Sequence, residues 1–200
     1  MTISNEKLIY DKLLEIYPNQ LIPITQLSLN DSAKKKFVES NVTGFNFDSV
    51  VNCHPECEAK EKSPDALFYV DKKLYFVEFK EGGSKKEDIR LKIHEAVATI
   101  YNFSVRHNLG ISRKEFFEMD IRYAVIYREY KANPNPTFAD TLEMTSKKYH
   151  LKNLEGYIIK KTRIAGHPDS ILNLLKSVSG GNVASILIHK DGEEPIQVSA

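Results

Sequence analysis

In SPDALFYVDKKLYFVEFKEGG, residues 63–83, an aspartate, a glutamate and a lysine interrupt two otherwise apolar segments. Ala66–Val70 and Leu74–Lys80 read as the strands of a hairpin turning around Asp71–Lys72. With Val70 opposite Lys73, paired residue numbers sum to 143, which sets Asp65 opposite Glu78. Directly opposed side chains lie roughly 4.5–5.5 Å apart at Cβ, where like charges destabilise the pair. A strand rises about 3.4 Å per residue, so Lys80 follows Glu78 on the same face about 7 Å further on. Two acids and one base therefore converge on one patch. A divalent cation between the acids turns their repulsion into attraction. Mg²⁺ takes oxygen ligands at about 2.0–2.1 Å and keeps several waters. Such an ion lowers the pKa of a bound water and neutralises charge on a phosphoryl oxygen, the two functions phosphodiester hydrolysis requires. Lys80, a compact point charge, suits the orientation of the attacking water and the stabilisation of developing negative charge.

The flanking elements must hold this patch in place. After Gly82 and Gly83, Ser84 followed by Glu87 predicts a capping box and a helix running to about His107. Its core stripe is Ile89, Ile93, Ala96, Val97, Ile100 and Phe103. Arg90, His94 and Tyr101 line one flank of that stripe, and Lys92 lies on the other. The free N–H groups of this helix, with Lys85 and Lys86, offer a phosphate cradle a few residues past Lys80. Upstream, SNEKLIYDKLLEIY is an amphipathic helix in which Glu6 points into the apolar stripe and Glu15 away from it. Its place in the first turn also suits Glu6 to the helix dipole.

Residues 31–41 predict a second short helix and residues 45–53 a strand. The almost continuously apolar run 121–129 predicts a strand covered on both faces. Beyond a long loop at 131–140, the pattern predicts a helix near 140–150, a strand near 156–161, a helix over 169–178 and a strand over 184–189. The order is that of an α/β fold with a mixed central sheet flanked by helices. We read one domain over 1–200, with a core over about 4–129 and a C-terminal αβ elaboration over about 130–200.

Composition narrows the function classes. The net charge of +1 excludes a polycation, so nucleic-acid contact must come from local basic clusters. No apolar run reaches the roughly 18–20 residues of a membrane span and no signal-peptide pattern opens the chain, so a cytoplasmic protein without membrane contact is expected. Both cysteines fall in CHPEC, residues 53–57. A zinc site there would use Cys53, His54 and Cys57, but no second Cys-rich pair completes it; two reduced thiols are expected. No Gly-x-Ser-x-Gly elbow supports a nucleophilic hydrolase.

Pro64-Asp65, twelve intervening residues and Glu78-Phe79-Lys80 in an apolar strand resemble the PD-(D/E)XK nuclease superfamily, the restriction-endonuclease-like fold. The predicted order from about 4 to 129 is similar to that superfamily's αβββαβ core. The resemblance implies a Mg²⁺-dependent nuclease, with Mn²⁺ able to substitute, that hydrolyses phosphodiester bonds of nucleic acid, DNA ahead of RNA. It implies Asp65 and Glu78 as metal ligands and Lys80 as the catalytic lysine. It adds Glu6 as a candidate first-helix acid, with Glu15 second, and Arg90 and His94 as candidate polar residues from the second core helix. Many members act as homodimers. The alternative is a catalytically silent protein that keeps this fold to bind nucleic acid or a protein partner.

Overall fold

A computed structural model of the chain describes residues 3–30, 35–50, 61–81, 85–128, 148–189 and 192–199. Helix α1 (Asn5–Ile16) begins at Ser4, whose hydroxyl accepts the Lys7 N–H at 3.3 Å. Strand β1 (Leu21–Pro23) and helix α2 (Ile24–Leu27) follow, then β2 (Val38–Glu39) and β3 (Thr43–Asn46). The hairpin consists of β4 (Ala66–Val70) and β5 (Lys73–Lys80), and the long helix after it is α3 (Lys86–Arg106). Helix α4 (Arg113–Glu118), closed by a Ser112–Glu115 capping box, leads into β6 (Ile121–Tyr127). Strand β7 (Lys161–Ala165), helix α5 (Pro168–Val178), β8 (Ser185–Ile188) and β9 (Ile196–Ser199) complete the order.

The central sheet is mixed, in the order β1-β3-β4-β5-β6-β7. The strands from β1 to β5 pair antiparallel, while β5, β6 and β7 run parallel. Period-two alternation divides the side chains between two cores. Leu67, Leu74, Phe76, Tyr123 and Val125 pack under α1 and α3, with Ile9, Leu13, Ile89 and Ile93. Phe68, Tyr75, Val77, Ala124 and Ile126 pack under α5, with Ile171, Leu172 and Leu175. A small second sheet, β2-β8-β9, lies on the α5 side. The protein is thus an α/β fold with a mixed central sheet flanked by helices. With β1, α2, β2 and α4 set aside as additions, the elements α1, β3, β4, β5, α3 and β6 follow one another in the order αβββαβ. Among the described residues, no helix is long and apolar enough to cross a membrane.

Several expected boundaries move, each for a local reason. The strand expected over 45–53 ends at Asn46, where the chain turns into a 3₁₀ segment, Phe47–Ser49. Of the short helix expected over 31–41, residues 31–34 lie outside the described residues; Val38–Glu39 is a strand that pairs with Leu187 and Ile188, and a helical turn forms upstream at Ile24–Leu27. The strand expected near 156–161 starts at Lys161, because Gly156, at φ +76°, closes a turn with its N–H on the Ile159 carbonyl. Strand β9 has no counterpart in the sequence reading. Helix α3 is entered through Lys85, with no side-chain cap. Ser84, Cys53, His54, Cys57 and most of the expected 140–150 helix lie outside the described residues.

The hairpin turn carries local strain. Asp71 and Lys72 have φ of 47° and 59°, the pair of positive angles that a two-residue type I′ turn requires. A non-glycine residue there costs roughly 1–2 kcal/mol, which glycine avoids at an entropic cost of about 0.5–1 kcal/mol. Lys72→Gly should therefore raise the melting temperature by about 2–3 °C, given ~2–4 °C per kcal/mol at this chain length. A thermal melt that is unchanged or lower would show that the turn is not under backbone stress.

Candidate active site

The register places the two acids as the sequence predicts. Pairs run from Val70↔Lys73 to Ala66↔Val77, so Asp65 continues opposite Glu78. Beyond the last ladder pair, the Phe79 N–H is met by the Asp65 side chain, which accepts it through Oδ2 at 2.6 Å. The Asp65 carbonyl accepts the Phe47 N–H on the other side at 3.2 Å. Asp65 thus knits β3 to β5 where β4 begins, and this fixes its carboxylate. Glu78 is 1% exposed, within an apolar strand. Lys80 sits two residues on, its Nζ 3.3 Å from Glu78 Oε1.

The structure adds a residue that the sequence reading did not assign to the site. Lys92 of α3 donates from Nζ to both Glu78 oxygens, each at 2.8 Å. Arg90 and His94 sit two residues to either side of it, about 200° around a helix of 3.6 residues per turn, and so face away. The structure does not bring them to the carboxylates. The Arg90 guanidinium donates to the His150 carbonyl at 3.1 Å, and both residues line a separate groove with Asn153. Glu6 is also elsewhere. It accepts the Asp120 N–H at 2.9 Å, at the start of β6, whereas Glu78 pairs with Val125. Five strand rises, about 17 Å, separate those two levels of the sheet. Glu6 therefore serves the fold rather than the acidic pair, and Glu15 is taken by Lys12 at 2.6 Å.

Asp48 is a third carboxylate near the pair, outside the lining of the cleft. It stands exposed on the 3₁₀ turn after β3, accepts a hydrogen bond from the Ser63 hydroxyl, and lies near enough to raise the pKa values of Asp65 and Lys92. Reading 45–53 as strand hid it. Lys85 and Lys86, at the start of α3, are exposed, with Lys86 Nζ 3.7 Å from Glu87. Lys85 and Lys80 both act on Asp88, which places them along one edge of the site.

These groups open onto a cleft of about 320 Å³, lined by Asp65, Glu78, Lys80 and Lys92 on one side and by Leu27–Asn30 on the other. Glu81 closes one end. It accepts from Arg128 at 2.8 Å and from Asn30 at 3.2 Å. Beneath the pair, the Tyr123 hydroxyl is fully buried, with no hydrogen-bond partner among the described residues. Burial, then the charges of Glu78 and Asp65, push its pKa well up.

Electrostatically the two acids differ. Burial first, then Glu78, push Asp65 well above the usual carboxylate range, against a weaker opposing pull from Lys92 and the Phe79 N–H. Burial also raises Glu78, but Lys92 and Lys80 oppose it directly. Burial alone would lower Lys92; Glu78 and Asp65 outweigh it and raise it. The uncompensated charge of the site is therefore Asp65. As a donor set, two carboxylates suit a hard divalent cation that keeps waters. One oxygen of Asp65 is free of hydrogen bonds among the described residues, and it lies in an open cleft. Those residues hold no cluster of three His, Cys, Asp or Glu, so any cation here depends on the pair and on water.

An acid whose folded pKa is raised stabilises the fold fully below its unfolded pKa, about 3.9 for Asp, and loses that contribution as pH rises through the folded value. In a chelator, wild type should therefore melt progressively lower from pH 4 towards pH 8. Asp65→Asn keeps the acceptor for the Phe79 N–H and deletes the repulsion. It should flatten that decline and melt a few degrees higher than wild type at pH 7. A lower melt at pH 7 would mean that the Asp65 charge is satisfied in the metal-free fold.

No family model matches this chain, and neither a curated protein nor a solved structure matches it. Function has to be argued from the site itself.

Proposed function

We propose that this chain is a metal-dependent nuclease that hydrolyses phosphodiester bonds of nucleic acid, DNA ahead of RNA, and belongs with the PD-(D/E)XK superfamily it resembles. The observation that carries this reading is the disposition of Asp65, Glu78 and Lys80. Two carboxylates face each other across adjacent strands, a lysine follows on the same face, and all three open into one cleft. The αβββαβ element order around them supports it.

Asp65 and Glu78 would hold Mg²⁺ or Mn²⁺, which supplies charge neutralisation on a phosphoryl oxygen and a more acidic bound water. The protein's own groups do the rest. The Phe79 N–H fixes the Asp65 carboxylate through Oδ2, at the wall of the cleft. Lys80, 26% exposed, has its ammonium at the cleft wall, placed to orient a water and to stabilise negative charge developing on phosphate. Lys85, at the open end of α3, would take a flanking phosphate, whereas Lys86 lines the groove of Arg90 and His94 on the other face of the helix.

A second reading, a catalytically silent protein that binds nucleic acid or a protein partner, is favoured by one observation. Lys92 already occupies both Glu78 oxygens. A chain that had exchanged its metal for an internal ammonium ion would look the same.

The two readings separate on labelled duplex, single-stranded and branched DNA incubated with Mg²⁺, Mn²⁺ or EDTA. Divalent-dependent cleavage is expected, lost in Asp65→Ala and reduced at least 10²–10³-fold in Lys80→Ala, about the scale of removing one transition-state charge stabiliser. Only Asp65→Ala should weaken metal binding strongly. Absence of cleavage on every substrate, with DNA binding unchanged by EDTA, would favour the silent reading.

A further inference from the structure

The lysine that divides the two readings also has a role of its own within the nuclease reading. The Lys92 ammonium lies 2.8 Å from Oε1 and 2.8 Å from Oε2 of Glu78, on the carboxylate's bisector, where a cation shared by both oxygens must sit. Lys80 lies further off, 3.3 Å from Oε1. Lys92 reaches in from α3, whose backbone is fixed by Ile89 and Ile93 in the core, so only its flexible stem can carry the ammonium elsewhere. Its side chain is 17% exposed and lines the cleft, which leaves room to withdraw.

We propose that Lys92 is a built-in surrogate cation, holding the Glu78 carboxylate in the metal-free protein and yielding it to an incoming divalent ion. The inference rests on the metal-binding reading of Asp65 and Glu78. Charge explains the arrangement. Two carboxylates, Asp65 and Glu78, face two ammonium groups, Lys80 and Lys92, around the cleft. A divalent ion adds two positive charges, the sign that attracts a phosphodiester. Without Lys92 the same site would carry one positive charge fewer. It would bind metal more tightly and phosphate less well. Lys92 thus weakens the metal site while suiting the loaded site to an anion. Once displaced, its ammonium has the Asp48 carboxylate and the cleft itself within its field.

The test measures Mn²⁺ binding to the metal-free full chain by titration calorimetry, with wild type, Lys92→Met and Lys92→Gln. Removal of the competitor should tighten the Mn²⁺ Kd by about tenfold, within the ~5–150-fold range typical of couplings between sites. A second measurement needs no variant. Amine-selective acetylation of wild type, mapped by mass spectrometry, should label Lys92 slowly without metal and several-fold faster when saturated with Mn²⁺. Tighter binding in folded variants, or metal-dependent exposure of Lys92, supports the exchange. Wild type that binds Mn²⁺ with Lys92 labelling unchanged, and variants no tighter, overturns the exchange but leaves the metal reading standing. If neither wild type nor the variants bind Mn²⁺, the metal reading itself fails and the exchange fails with it.

Discussion

One constraint organises this protein: two carboxylates are held face to face, out of bulk water, at the end of a hairpin whose other residues are apolar. Glu78 is almost wholly buried in the strand that pairs with both β4 and β6. A charge there is tolerated only with partners, because an unpaired buried carboxylate costs several kcal/mol or shifts to its neutral form. The partners come from different places. Lys80 lies on the same strand, Lys92 comes from the helix after it, and the Phe79 N–H serves Asp65. Strand β5 and helix α3 supply these groups between them.

The two ends of the sheet divide the work. At the start of β6, Glu6 accepts the Asp120 N–H, and the Asp120 carboxylate takes a bidentate contact from Arg122 at 2.7 and 2.8 Å. Those groups are bonded to one another, and none of them lines the cleft. At the other end, beside the start of α3, the acids outnumber the bases and the cleft is open. In α/β sheets, ligands favour the carboxyl ends of the parallel strands, where the loops that follow leave a crevice. The acidic pair lies at the carboxyl end of β5, the first strand of the parallel half.

What could be read from the sequence follows from how far each signal reaches along the chain. The register of β4 and β5 was legible because a two-residue turn and strict alternation fix every pair. The core stripe of α3 was legible because its spacing matches a helix. Lys92 was visible on the flank opposite Arg90 and His94, but choosing the flank that meets the hairpin requires the packing of Ile89 and Ile93 under β5. The burial of Glu6 was legible, whereas its partner lies 114 residues away, beyond any local pattern. Asp48 was lost for a different reason. Its neighbours Phe47 and Val50 are buried, so the run resembles a strand, although a 3₁₀ turn achieves the same burial.

The C-terminal part is bound to the site by the same logic of partners. Strand β8 pairs with β2, and the His189 N–H meets the Phe37 carbonyl at 2.9 Å. Val38 in turn exchanges hydrogen bonds with the Ser28 hydroxyl, at 2.9 and 3.1 Å, and Ser28 lines the cleft. From the opposite side, Arg128 at the end of β6 donates to the Lys36 carbonyl and to Glu81, with its guanidinium 5.0 Å from the centre of the Phe37 ring. Residues 36–39 are therefore clamped between the C-terminal sheet and the end of β6. Asn30, on the loop they support, completes the clamp at Glu81. The small sheet is thus not an appendage: through Phe37 and Val38 it backs Ser28 in the wall opposite Asp65 and Glu78, which Asn30 also ties to Glu81.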